Sequence, residues 1–120
     1  MPPLNDPERS RCYLSALANW QYDGFVSFEK DADRWVRDEL PDLSVKELGK
    51  MLYEHVLASG CTCVDEQIET RERWRDLHPY HHDIRMPVVG RLVYFETRLI
   101  YRDPDDPDDP IIQVVNAHDV

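Results

Sequence analysis

Ionisable and hydroxyl-bearing side chains alternate with apolar ones in the segment 80–102, YHHDIRMPVVGRLVYFETRLIYR. One chemistry that such a set supports is metal-independent cleavage of RNA through its 2′-hydroxyl. This reaction needs a general base, a guanidinium for the phosphate and a group that positions a nucleobase. In that scheme Glu96 or His81 takes the hydroxyl proton, and Arg98 stabilises the phosphorane. The catalytic candidates are His81, Tyr94, Glu96 and Arg98.

The same side chains also fit a second interpretation, a binding face. Carboxylates and arginines often pair across neighbouring strands on a solvated sheet face, where such pairs stabilise the fold only weakly. Catalysis requires the candidates to converge on one cleft, whereas a binding face needs them only to spread over a flat sheet. Strand order and register decide between the two, and the alternation leaves both open. The residues assigned to the binding face are Asp83, Arg85, Gln113 and His118.

Soft and borderline metal ligands also occur in the chain. Their spacing is not specific for a zinc site, because C-x-C is not the usual zinc-knuckle spacing and no second cysteine pair follows. Strand alternation also directs His81 and His82 to opposite faces. The acidic segment 103–110, DPDDPDDP, lacks the central glycine and terminal glutamate of an EF-hand loop. We therefore expect no metal and no cofactor. The ligands considered are Cys61, Cys63, His78, His81 and His82.

The element that positions the candidate residues is a predicted β-hairpin. Two alternating runs flank the break at 88–91, VVGR, which is the pattern of two antiparallel strands joined by a tight turn. On the second run Val93, Phe95 and Leu99 share one face, which we expect to pack against the core. The candidates share the other face, which we expect to be solvated or open to a partner.

Three helices are predicted upstream of the hairpin. Each has an apolar stripe at helical spacing, and each begins after a residue that favours an N-cap. The third also has an S-x-x-E capping box and a glycine at its C-terminal end. The predicted boundaries are Asn5 or Asp6 for the start of the first helix, Ser27 and Pro41 for the second, and Ser44 and Gly60 for the third.

Further strands complete the predicted fold. The β-branched run 111–116, IIQVVN, predicts a strand after the hairpin, and a short strand is expected near Ile68. Together these elements predict an α+β fold, in which three N-terminal helices pack on one face of a C-terminal antiparallel sheet of three or four strands. The length of 120 residues suits a single domain, 1–120. Trp35, on the stripe of the second helix, is the expected core anchor.

The charge of the chain restricts its partners. With 24 acidic and 14 basic residues the net charge is −10, which disfavours nucleic acid because a polyphosphate backbone is repelled. No apolar run matches a signal peptide or a membrane span, so we expect a cytoplasmic protein with no membrane partner. A protein partner or self-association is expected instead. Leu92 and Ile100 on the outward face make a homodimer one alternative.

The C-terminal half resembles small uncharacterised bacterial proteins with a YHxD…GRxVYxET hairpin. The matching residues are 69–71, 74, 80–83 and 90–97. More distantly, the segments 74–77, 90–100 and 114–115 are similar to the closing sheet of the motility quorum-sensing regulator toxins, which cleave RNA and are RelE-like in fold. The resemblance implies that Tyr94 matches the strand tyrosine of that family. Arg75 stands where the family carries glutamine, no C-terminal lysine is present, and those toxins are basic whereas this chain is acidic.

Two functions follow from these patterns. The first is a non-catalytic protein-interaction or regulatory module that binds its partner through the exposed sheet face. The alternative is a metal-independent ribonuclease of the type found in toxin–antitoxin pairs.

Overall fold

Three helices and a five-stranded sheet make up the regular structure in the computed structural model, which describes residues 3–71, 79–101 and 109–120. The elements are α1 (Pro7–Ala18), β1 (Val26–Phe28), α2 (Lys30–Glu39), α3 (Val45–Ser59), β2 (Val64–Ile68), β3 (Tyr80–Val88), β4 (Arg91–Tyr101) and β5 (Pro110–Asp119). The strands lie in the order β1-β5-β4-β3-β2, with β1 parallel to β5 and all other neighbours antiparallel. This architecture confirms the α+β class. None of the helices within the described ranges is long and apolar enough to cross a membrane.

The first and third helices begin as the sequence predicts. The side chain of Asp6 accepts a hydrogen bond of 2.9 Å from the backbone N–H of Arg9, and Pro7 occupies the first turn of α1. Ser44 and Glu47 form both hydrogen bonds of a capping box at the start of α3. These caps satisfy backbone donors that a helix leaves unpaired at its N-terminus. Gly60 ends α3 at a φ of 62°, where a left-handed residue was predicted.

The predicted start of the second helix is wrong. Ser27 lies in β1, and the helix begins three residues later at Lys30. Phe28 pairs with Val114, and Val26 pairs with Ile112, in a parallel ladder with β5. This pairing satisfies backbone groups that a helix would otherwise use. The sheet therefore has five strands rather than three or four, and a strand interrupts the predicted block of N-terminal helices.

The β3–β4 hairpin has the predicted position and turn. Val88 pairs with Arg91, so Val89 and Gly90 form a two-residue loop. Their φ angles are 50° and 77°. Positive φ at both central residues is the mark of a type I′ turn, whose twist matches that of the flanking strands. The predicted strand near Ile68 is also present, as β2.

The core lies between the helices and one face of the sheet. Val93 and Phe95 are fully buried there, as predicted from the alternation. Trp35 is only partly buried and packs at the margin of the core, so the expectation that it anchors the core is wrong. Tyr13 of α1 fills that role instead. It is fully buried, and its hydroxyl lies 2.6 Å from the hydroxyl of Thr97 in β4.

Candidate functional site

All eight predicted site residues lie on the sheet face that points away from the helices, which we call the polar face. The register of the strands sets their neighbours, because residues directly opposite each other in antiparallel strands project to the same side. The opposed pairs are Asp83 with Glu96, Arg85 with Tyr94, Tyr94 with His118, and Arg98 with Gln113. The structure thus brings the candidates together on three adjacent strands, and their roles stay predictions.

Two of the candidates, Glu96 and Arg98, belong to a network of two arginines and two glutamates, in which Arg71 is exposed and the other three residues are buried. One guanidinium nitrogen of Arg98 lies 2.7 Å from Glu69, and another lies 3.5 Å from Glu96. Arg71 contacts both carboxylates, with its Nε 3.0 Å from Glu69. Arg98 is 0% exposed, Glu69 3% and Glu96 8%. We call these four residues the arginine–glutamate network.

Within the network, Arg71 favours the charged form of Glu69. Hydrogen bonds from the Arg71 side chain, opposed by burial, lower the pKa of Glu69 to about 2. The same carboxylates raise the pKa of Arg71. A guanidinium that is buried against two carboxylates is not free to bind the phosphate of a substrate. The expectation that this face is solvated or open to a partner does not hold at its centre, because Arg98, Glu69 and Glu96 lie close together there and are buried.

Three other candidates, His81, Asp83 and Tyr94, form a second group with Gln67 of β2. Asp83 is 2% exposed, and it accepts hydrogen bonds from His81 Nδ1 at 3.0 Å and from Gln67 Nε2 at 2.5 Å. Burial raises the pKa of Tyr94, and the hydrogen bond between its hydroxyl and Asp83 raises it further. We call these four residues the histidine–aspartate cluster. Because Nδ1 of His81 donates to Asp83, the other ring nitrogen of neutral His81 is the one that would accept a proton.

The polar face is open at the end nearest the hairpin turn. Arg85 is exposed, and its guanidinium lies 3.2 Å from Asp65 and 5.6 Å from the centre of the Tyr94 ring. Tyr94 in turn stacks on His118 at 4.6 Å. Gln113 is farther along the sheet, where its amide bonds to Glu29. The binding-face residues therefore do not form one patch, since Asp83 is buried and Gln113 is engaged elsewhere.

Exposed apolar side chains adjoin that open end. Leu92 is 47% exposed and Val120 is 65% exposed. The backbone N–H of Val120 donates to the carbonyl of Leu92 at 3.1 Å, which holds the two residues side by side. Pro87, directly opposite Leu92 on β3, is also exposed. We call Pro87, Leu92 and Val120 the outer apolar patch.

Three residues of the site, Gln67, Glu69 and Arg71, are absent from the sequence-based candidates. Gln67 lies within β2, and Glu69 is the first residue after Ile68, the last residue of β2. Both follow Asp65 at two-residue spacing, so the alternation of β2, extended by one residue, places them on the face of Asp65. Arg71 lies beyond the strand, and no periodic signal identifies it. The residues that bury Arg98 with counter-charges are thus long-range partners, which a local pattern does not reveal.

The potential metal ligands that lie within the described ranges do not converge on one site. His81 is on the polar face, whereas His82 is on the opposite one and lies 3.1 Å from Glu66. Cys61 is buried, and burial raises the pKa of its thiol. In the described ranges, no group of three or more histidine, cysteine, aspartate or glutamate side chains is placed to hold a metal ion. His78, Trp74, Arg75 and the segment 102–108 lie outside the described residues.

Comparisons of the chain with protein-family models, with curated proteins and with solved structures find no match. The geometry of the polar face is therefore the basis for the functional interpretation.

Proposed function

We propose that this protein is a non-catalytic interaction module that binds a protein partner through the open end of its polar face. The observation that supports this proposal is the burial of Arg98 and Glu96 in the arginine–glutamate network. An active site that cleaves RNA needs its phosphate-binding cation and its base within reach of the substrate. Arg98 and Glu96 are instead paired with oppositely charged side chains of this chain, so their role in the proposal is to stabilise the fold.

The open end has the composition of an interaction surface. The outer apolar patch supplies apolar area, and Tyr94 and Arg85 beside it are residue types that are enriched among the side chains that dominate binding. Arg85 and Tyr94 are also held in place, by Asp65 and His118 respectively. A surface whose side chains are already ordered loses less conformational entropy when a partner binds.

The partner is a different protein rather than a second copy or a nucleic acid. A net charge of −10 makes two copies of the chain repel each other, and it also repels a phosphate backbone. Self-association, including a homodimer through the outer apolar patch, remains the competing form of the proposal. Sedimentation velocity over a range of protein concentrations separates the two, because a homodimer sediments faster as the concentration rises.

The proposal is tested by selecting binders for the immobilised protein from a displayed library of random peptides. The affinity of an enriched peptide is then measured by calorimetry with the parent and with two variants. Leu92→Ser should weaken binding by about tenfold, which is 1.4 kcal/mol, if Leu92 is a central contact. Leu57→Ser is the matched control, because Leu57 is 50% exposed on α3 and lies away from the sheet. This control should leave the affinity unchanged.

Two results would reject the proposal. One is a selection in which no peptide is enriched over a scrambled library. The other is an enriched peptide whose affinity responds equally to Leu92→Ser and to Leu57→Ser, because such binding does not use the polar face.

A metal-independent ribonuclease is the second candidate, and the histidine–aspartate cluster supports it. His81 is 15% exposed at its side chain and is oriented by buried Asp83, which is the arrangement of a general base. The test is cleavage of a mixed-sequence RNA in EDTA at low salt by the parent and by His81→Asn, with His55→Asn on α3 as the control. Cleavage that His81→Asn abolishes and His55→Asn preserves would favour the ribonuclease over the interaction module.

A further inference from the structure

A cleft of about 210 Å³ lies between the C-terminal end of α2 and the β3–β4 turn, on the opposite side of the sheet from the outer apolar patch. Its apolar walls come from Leu40, Pro41, Leu43 and Val89. Val89 is 74% exposed, so one wall is an apolar side chain in contact with water. The cleft is smaller than the roughly 300–1,000 Å³ of sites for small-molecule ligands, and its size suits a single side chain of a larger partner.

Arg91 links the two sides of the cleft. Its guanidinium donates to the backbone carbonyl of Glu39 at 3.0 Å and to the Glu39 carboxylate at 2.9 Å. It also donates to Asp119 at 2.9 Å and lies 5.4 Å from the centre of the Trp35 ring. These contacts tie the hairpin to α2 before any partner arrives. A preformed cleft of this kind reduces the ordering that binding requires.

The charges around the cleft favour a cation. Glu39, Asp42 and Asp119 supply three carboxylates, against the one guanidinium of Arg91. The C-terminal end of α2 adds the partial negative charge of the helix dipole. Asp42 has no ion pair with any residue in the described part of the chain, whereas Glu39 and Asp119 are both engaged by Arg91. The cleft thus combines an apolar pocket with an excess of negative charge at its rim.

We propose that this cleft binds a segment of a partner protein in which an apolar side chain stands next to a lysine or arginine. The apolar side chain enters between Val89 and the wall formed by Leu40 and Leu43, and the cation pairs with Asp42 at the rim. This inference rests on the proposed function in one respect, which is that the molecule bound in the cleft is a segment of a protein. It concerns a second surface, on the other side of the sheet, and it specifies the chemistry of the partner.

The probe for this site is a fluorescein-labelled nonapeptide of alternating leucine and arginine, followed by fluorescence anisotropy at about 150 mM salt, where long-range attraction is screened. A peptide of alternating leucine and glutamate is the matched control. The parent protein should bind the first peptide saturably and should not bind the second. Val89→Asn should weaken binding by at least about fivefold, since it removes the apolar wall without a change in charge.

Two variants that each remove one carboxylate test where the arginine of the peptide binds. Asp42→Asn should weaken binding by about threefold, because it removes the free carboxylate at the rim. Glu54→Gln makes the same change in net charge on the exposed surface of α3, next to Lys50, and should leave the affinity unchanged. Equal weakening by the two variants would show that binding follows net charge, and would overturn the proposal. Absence of saturable binding by the parent would also overturn it.

The same titration separates this inference from the proposed function. Leu92→Ser should leave binding of the leucine–arginine peptide intact, because Leu92 lies on the polar face. Weakening by Leu92→Ser with no effect of Val89→Asn would place the peptide on the polar face, which rejects the cleft and retains the interaction module. The melting temperature of Val89→Asn shows whether the turn is intact.

Discussion

The guanidinium of Arg98 lies 2.7 Å from the carboxylate of Glu69, and the two side chains are 0% and 1% exposed. Arg98 is in β4 and Glu69 follows β2, so this ion pair spans the strand between them, β3. Glu96 and Arg71 add one charge of each sign, which balances the network. A buried ion with no counter-charge is strongly destabilising, whereas a balanced group is tolerated. The network therefore holds the centre of the polar face in one arrangement.

Removal of the central arginine should destabilise the protein severely. Arg98→Met leaves Glu69 and Glu96 buried with less counter-charge, and breaking a buried ion pair in this way costs about 3–5 kcal/mol. Urea unfolding, followed by circular dichroism, measures the change in the free energy of unfolding. Lys50→Met is the control, because Lys50 forms an exposed pair with Glu54 at 3.9 Å, and it should cost less than about 0.5 kcal/mol. Similar losses for the two variants would contradict a structural role for the network.

Stability should fall in acid as Glu69 is protonated. The pKa of Glu69 is about 2 in the folded protein, against an ordinary value of 4.5. As the pH falls, Glu69 is therefore protonated in the unfolded chain before it is protonated in the folded protein. The stability that Glu69 contributes above pH 4.5 is lost as the pH falls towards 2. The loss is on the order of 3 kcal/mol. Free energies of unfolding measured over this range should decline less steeply for Glu69→Gln than for the parent, and equal slopes would exclude Glu69 as the cause.

A second acid-induced loss should begin near neutral pH and come from His82. Burial lowers the pKa of His82, and the bond to Glu66 opposes this shift only partly. Arg9 and His81 add to the lowering, because each disfavours another positive charge nearby. Nδ1 of His82 has no hydrogen-bond partner in the described part of the chain. A charged imidazole carries a proton on both ring nitrogens, and the proton on Nδ1 would have no acceptor. The folded state thus favours neutral His82, and stability falls as the pH drops below 6.5, the ordinary pKa.

Variants distinguish His82 from the other histidines. His82→Gln should flatten the change in the free energy of unfolding between about pH 7.5 and about pH 5.5. His118→Gln is the control, because it removes an exposed imidazole from the other face of the sheet. An unaltered slope for His82→Gln would show that another group titrates in this range.

Asparagine at position 89 should stabilise the hairpin. Val89 has a φ of 50°, and a β-branched residue is strained in that region. Asn-Gly is a preferred pair in a type I′ turn, so Val89→Asn should add about 1 kcal/mol and raise the melting temperature by roughly 4 °C. Gly90→Ala, at a φ of 77°, should lower it by a similar amount. Differential scanning calorimetry measures both changes, and a lower melting temperature for Val89→Asn would argue against the turn type.

Local features of the fold follow from the sequence because their causes are local. The capping box of Ser44 and the left-handed Gly60 act within one helical turn, so both ends of α3 are predicted correctly. The Val89-Gly90 loop is likewise signalled locally by Gly90, which adopts a positive φ without strain, whereas Val89 does not. Ser27 is the exception, because its preference for an N-cap is overridden by the pairing of Val26 and Phe28 with β5.

The alternation along each strand is enough to predict which side chains share a face of the sheet. The two-residue period of a strand places His81, Asp83, Tyr94, Glu96 and Arg98 together, since alternation depends only on the geometry of an extended chain. The exposure of these side chains and their contacts come instead from the packing of distant segments. Pairing between strands brought Glu69 and Arg71 to Arg98 and buried it, while Tyr94 remained at the open end. Burial and ion pairing depend on contacts between distant segments, which no local period encodes.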